Sequence, residues 1–212
     1  MGSIIIGGGG DKESSALLDA EYEKLVLDSS YNSSCLYIPH AMESSRHASA
    51  FEWFLGAYKF FSSAKLLQTK DDIDGDYDSI YMGGGYCHRL RDNLLELGID
   101  NGYLSSFLQG GGVLYGGSAG GVVLGKSLVS SREVLRYPEV FMSLQHDGLD
   151  LCDGWSFRPH YLGTEEEDRS LDTLAQAYHI GIIALSEDSG LIFNGSGELN
   201  AINESNTRTI RS

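Results

Sequence analysis

Residues 116–120, Gly-Gly-Ser-Ala-Gly, have the types and spacing to present a nucleophile. They follow a short apolar run, Val113-Leu114-Tyr115, which reads as a buried strand. They lead into Val122-Val123-Leu124, which reads as a helix. A serine on a sharp strand-to-helix turn holds its hydroxyl clear of the sheet. Gly116 and Gly120 remove the Cβ atoms that would crowd such a turn. The helix that begins after Ser118 aims its free N–H groups at any anion formed there. The chemistry this permits is covalent catalysis; the competing reading is a glycine-rich loop with no chemistry.

A serine nucleophile needs a base. Of the six histidines, at 40, 47, 88, 146, 160 and 179, His160 stands apart because it follows a proline, in Arg158-Pro159-His160-Tyr161. Proline fixes its own backbone angle and restricts its neighbour, which pre-sets the imidazole. A carboxylate that orients the ring should end a later strand. Glu187 and Asp188 both follow the apolar run Ile182–Leu185, and either would serve. The order is then Ser, His, acid. An α/β-hydrolase has Ser, acid, His, so a different topology is expected.

The elements that must position these groups alternate. Ile4-Ile5-Ile6, Cys35-Leu36-Tyr37-Ile38, Lys65–Gln68 and Ser79-Ile80-Tyr81-Met82 read as strands before the nucleophile strand. Helices are expected over 14–27, over 45–62 with an aromatic face, after the triple glycine at 83–85, and over 103–109. The aromatic stripe Phe51, Phe54, Leu55, Tyr58 and Phe61 is read as core packing. Residues 127–163 are less regular, and Leu171–Ala177 is helical. Ile180–Leu185 and Leu191-Ile192-Phe193 are strands, the second paired in a closing hairpin with 198–202. The expected class is α/β, a mostly parallel sheet with helices on both faces, in a single domain over residues 1–212.

Composition sets the bounds. The net charge is −15, from 15 basic and 30 acidic residues. This argues against nucleic acid and anionic membranes as partners, because both would be repelled. Three cysteines in unrelated contexts, at 35, 87 and 152, are expected to be reduced thiols in a cytoplasmic protein. No signal peptide and no membrane span is expected. The glycine run at 7–10 fails as a nucleotide site, because Lys12 stands where a fingerprint glycine belongs and Asp11-Lys12-Glu13 is not a phosphate loop. Residues 71–82 fail as a calcium loop, because Met82 replaces the acid at its twelfth position.

Four motifs, in order, resemble the peptidase E family of serine peptidases, the aspartyl dipeptidases, whose wider group includes the cyanophycinases. They are Tyr81-Met82-Gly83-Gly84-Gly85, Gly117-Ser118-Ala119-Gly120, Pro159-His160-Tyr161 and Leu185-Ser186-Glu187. Tyr37-Ile38-Pro39 also resembles the family's second strand. The resemblance implies a flavodoxin-like three-layer sandwich of the class I glutamine amidotransferase type. It implies Ser118 as nucleophile, His160 as general base and acid, Glu187 as the orienting acid, and the N–H groups of Gly85 and Ala119 as the oxyanion hole. It further implies substrate contacts from Glu133 and Arg169, a short peptide as substrate, and neither metal nor cofactor; the competing reading of Arg169 is a surface charge among Glu165 to Asp168. The protein would act as a monomer or homodimer. Tyr86-Cys87 depart from the family's usual Asn-Thr beside the oxyanion hole, so Tyr86 bears on substrate selection. An amidotransferase-like enzyme and a non-catalytic binding protein of the same fold are the alternatives; serine at the elbow, with Cys87 on another loop, argues against the first.

Overall fold

The computed structural model describes residues 2–29, 32–136, 145–195 and 199–211. Its main sheet has seven strands: β1 (Ser3–Gly7), β2 (Ser34–Ile38), β3 (Ser63–Leu66), β4 (Ser79–Met82), β5 (Val113–Gly117), β8 (Gly190–Asn194) and β9 (Leu199–Ile202). They lie in the order β3-β2-β4-β5-β1-β8-β9. The first five are parallel; β8 and β9 are added antiparallel, as the closing hairpin. The third strand begins two residues earlier than its apolar pattern suggests.

Side chains alternate across this sheet, so a fully apolar strand feeds two cores. Ile4 and Ile6 of β1 join one core and Ile5 the other. The Ile5 side is covered by α1 (Ala16–Ser29) and α2 (His47–Ala57), through Leu18, Tyr22, Val26 and Phe54. The opposite side is covered by α3 (Cys87–Leu97), α4 (Asn101–Gln109) and α5 (Ala119–Leu124). The fold is therefore α/β, with a mostly parallel sheet between two helical layers. The aromatic stripe packs largely as expected, but α2 ends at Ala57, and Tyr58 and Phe61 pack from the chain beyond it. Leu55 points to solvent.

A second sheet departs from the expected pattern. It joins β6 (Trp155–Arg158), β7 (Gly181–Leu185) and β10 (Thr207–Ile210) in the order β10-β7-β6. Ile183 and Leu185 face the main core with Phe157. Ile182 and Ala184 face α7 (Glu165–Tyr178) through Leu171 and Ala175. The short helix α6 (Arg132–Arg136) lies between α5 and this sheet in sequence. Among the described residues no helix is long and apolar enough to cross a membrane.

Candidate active site

Ser118 caps α5 directly after β5, with φ 50° and ψ −111°. A non-glycine residue at such a φ carries a backbone cost of about 1–3 kcal/mol, held by surrounding structure. The holding contacts are visible. Ser118 N–H donates to the Gly7 carbonyl at 3.1 Å. The helix can press onto the sheet because two positions lack Cβ atoms. A Cβ on Gly116 would stand 2.7 Å from the Gly120 and Gly121 backbone, and one on Gly120 would stand 2.5 Å from the Met82 carbonyl.

His160 stands two residues after Arg158, the last residue of β6, and also has a positive φ, 55°. Its N–H donates to the Gly8 carbonyl at 2.9 Å, and Tyr161 N–H donates to the Leu185 carbonyl at 3.0 Å. The segment is anchored from both sides. Buried Arg158 donates to Glu167 Oε1 at 2.9 Å, and Glu167 Oε2 accepts from Leu162 N–H at 2.9 Å. Removing one partner of such a buried pair costs about 3–5 kcal/mol, because the other charge is stranded.

These anchors bring three side chains into a line. Ser118 Oγ lies 2.9 Å from His160 Nε2, and His160 Nδ1 lies 2.8 Å from Glu187 Oε1. Asp188 does not face the ring through its carboxylate, which accepts from Ser186 Oγ at 2.5 Å. In this arrangement the imidazole can take the serine proton while a carboxylate stabilises the imidazolium.

Ser118 and His160 border a cavity of about 270 Å³ that is also lined by Gly85, Tyr86, Cys87, Ala119, Arg132, Glu133 and Arg136. Gly85 has φ 143°, and a Cβ there would stand 2.5 Å from the Ala41 carbonyl. The loop around it is fixed by Gly83 N–H to Ile38 O at 3.2 Å and Tyr86 N–H to Ala41 O at 2.9 Å. Glu133 reaches α3, accepting from Cys87 N–H at 3.3 Å. Burial and the neighbouring Glu133 push the Cys87 thiol up to about 12, so it stays protonated and is a poor nucleophile. A second cavity, of about 360 Å³, also reaches Ser118 and is walled by Tyr37, Met42, Arg46, Trp53 and Tyr81.

Arg169 lines neither cavity. It is exposed on α7, whose first turn is held by Arg158–Glu167 and by Tyr161 Oη donating to Asp168 at 2.6 Å. With Leu171 and Ala175 buried beneath the helix, Arg169 falls on the outward side. Arg132 and Arg136 supply the cations of the first cavity instead.

The glycine run after β1, rejected above as a nucleotide site, proves to be packing for the site. Gly9 has φ 95°, and a Cβ there would stand 2.6 Å from His160 Nε2 and 2.9 Å from Ser118 Cβ. Glycines at the carboxyl end of a parallel strand were the available signal; what they touch depends on residues more than a hundred positions away. Gly9→Ala should displace the imidazole and lower kcat/KM about a hundredfold, the usual cost of a misplacement near 1 Å. Steady-state kinetics with circular dichroism tests this, and parental kcat/KM in a folded variant would refute the contact.

Comparisons with known proteins identify the family and the fold. The model of Peptidase family S51 matches residues 3–199. Comparison with curated proteins found no match. Among solved structures the chain is similar to a peptidase from an acI-B1 actinobacterium, with a TM-score of 0.69 at 18% identity, covering 100% of this chain and 95% of that one. It is also similar to a candidate peptidase E protein from Listeria monocytogenes EGD-e, with a TM-score of 0.69 at 17% identity, covering 95% of this chain and 98% of that one. At these identities the structural likeness establishes the fold, while the family match spans nearly the whole chain. The chain belongs to peptidase family S51 and is a serine peptidase.

Proposed function

We propose that this protein is a dipeptidase that removes the N-terminal residue of very short peptides through a Ser118-His160-Glu187 triad. The observation that carries the reading is the unbroken line of short contacts from Ser118 Oγ through His160 to Glu187. In the first step His160 Nε2 takes the hydroxyl proton as Ser118 Oγ attacks the peptide carbonyl. The N–H groups of Gly85 and Ala119 receive the developing oxyanion, where each such donor is typically worth about 3 kcal/mol. His160 then returns the proton to the departing amine, leaving an acyl-enzyme. Water, activated by the same imidazole, releases the free amino acid.

The two cavities meeting at Ser118 support a short substrate, one residue on each side of the scissile bond. Glu133 suits the free α-ammonium of the first residue, and Tyr86 borders the same cavity. An acidic side chain needs a local cation, because the net charge of −15 disfavours anions at long range. Guanidinium matches carboxylate with two parallel bonds, and Arg132 is placed for that role where Arg169 is not. Hydrolysis of Asp-Leu and Ala-Leu, compared in the parent, Arg132→Met and Arg169→Met, tests this. Arg132→Met should lose roughly ten- to a hundredfold in kcat/KM on Asp-Leu alone, as a hydrogen bond to a charged group is worth about 1.5–3 kcal/mol. Arg169→Met should change neither. No preference for Asp-Leu in the parent, or equal loss on both substrates, would end the acidic-residue claim and leave the serine peptidase standing.

A further inference from the structure

The wall of the first cavity holds a side-chain cluster, Cys87, His88 and Glu133, whose sulfur and imidazole the hydrolysis above does not use. Cys87 Sγ lies 3.3 Å from Glu133 Oε2 and 3.6 Å from His88 Nδ1, and His88 Nδ1 lies 3.9 Å from Glu133 Oε2. One sulfur, one nitrogen and one oxygen thus form a triangle with edges of 3.3–3.9 Å. A tetrahedral zinc ion with Zn–S of about 2.3 Å and Zn–N or Zn–O of about 2.0–2.1 Å sets its ligands roughly 3.3–3.6 Å apart. We propose that Cys87, His88 and Glu133 form a binding site for a zinc-type transition-metal ion.

Three further features fit. Thiolate, imidazole and carboxylate together suit zinc or cobalt, whereas magnesium and calcium take oxygen ligands. His88 Nε2 lies 3.3 Å from His146 Nδ1. With its proton on Nε2, His88 donates to His146 and turns the Nδ1 lone pair toward Cys87 and Glu133, the outer-shell arrangement that orients metal-binding histidines. Cys87 and Glu133 line the cavity itself, which gives the ion an entry path and leaves a fourth position for water. On binding, the Cys87 S–H bond breaks, an S–metal bond forms, and the proton passes to solvent. The site runs against the expectation of no metal in this chain. It also takes Glu133 away from a substrate ammonium, a consequence that alone rests on the dipeptidase reading.

Titration of the reduced, untagged, chelator-treated protein with Co²⁺, followed by absorbance, tests the site without reference to activity. The expected result is a thiolate-to-cobalt charge-transfer band with visible bands of tetrahedral intensity, saturating at one ion per chain and displaced by Zn²⁺. Cys87→Ser should remove the charge-transfer band. Glu133→Gln, nearly the same shape as the parent side chain, should keep the band but weaken Co²⁺ binding about tenfold or more. Absence of the band from the parent would mean a hydrogen-bonded trio only and overturn the proposal. So would a band that survives in Cys87→Ser, or unchanged affinity in Glu133→Gln.

Discussion

Ser118→Ala should abolish peptide hydrolysis, lowering turnover on the order of a million-fold, as loss of a serine nucleophile does elsewhere. The effect is large because Ser118 Oγ is the hydroxyl that His160 Nε2 contacts. Cys87 borders the same cavity, but burial and Glu133 hold its thiol protonated. The fold should survive. The backbone contacts that hold the turn, Ser118 N–H to Gly7 O and the approach of Gly116 and Gly120, do not involve the hydroxyl. Its hydrogen bond to His160 is only part-buried, and a typical hydrogen bond contributes about 0.5–1.5 kcal/mol net. Circular dichroism and thermal unfolding should therefore resemble the parent. Turnover within tenfold of the parent would remove Ser118 from the chemistry.

Glu187→Gln should have the second-largest effect, about a thousandfold in kcat. Glutamine keeps the shape but not the charge that stabilises an imidazolium, and it can present an N–H where the imidazole N–H needs an acceptor. In a buried triad the equivalent change costs about ten-thousandfold. The Glu187 side chain is 57% exposed, so solvent shares the stabilisation and the expected loss is smaller. Asp188→Asn is the control. Its carboxylate accepts from Ser186, which asparagine's Oδ1 can also do, so the change should leave kcat within about threefold of the parent. A large loss in Asp188→Asn with none in Glu187→Gln would transfer the role of orienting acid.

Much of this was legible in the chain because chemistry and sterics restrict the same residues. A strained turn around Ser118 needs glycines beside it, so the elbow is written locally. Strands buried on both faces are uninterrupted apolar runs, which is why β1, β2 and β4 stand out. The strand β6 does not stand out, since its four residues include the polar Ser156 and Arg158, both of which are buried in the fold. Periodicity likewise does not record which sheet a strand joins, so β7 reads as one more strand although it pairs with β6 and β10. Arg169 is a related case. Its position in the chain allows it to reach the site, and only the rotation of α7 turns it outward. The place of Arg132 at the cavity wall is likewise a property of the assembled fold. Gly9 was legible as a loop residue, but its contact with His160 and Ser118 is a property of the assembled fold.

The most direct measurement is labelling of the folded protein by a fluorophosphonate, with the adduct located by peptide mass spectrometry. A serine activated by His160 should react stoichiometrically at Ser118, and His160→Gln, which removes the base, should label far more slowly at the same concentration. An adduct at any other residue, or no adduct in a parent that hydrolyses peptides, would contradict Ser118 as the nucleophile.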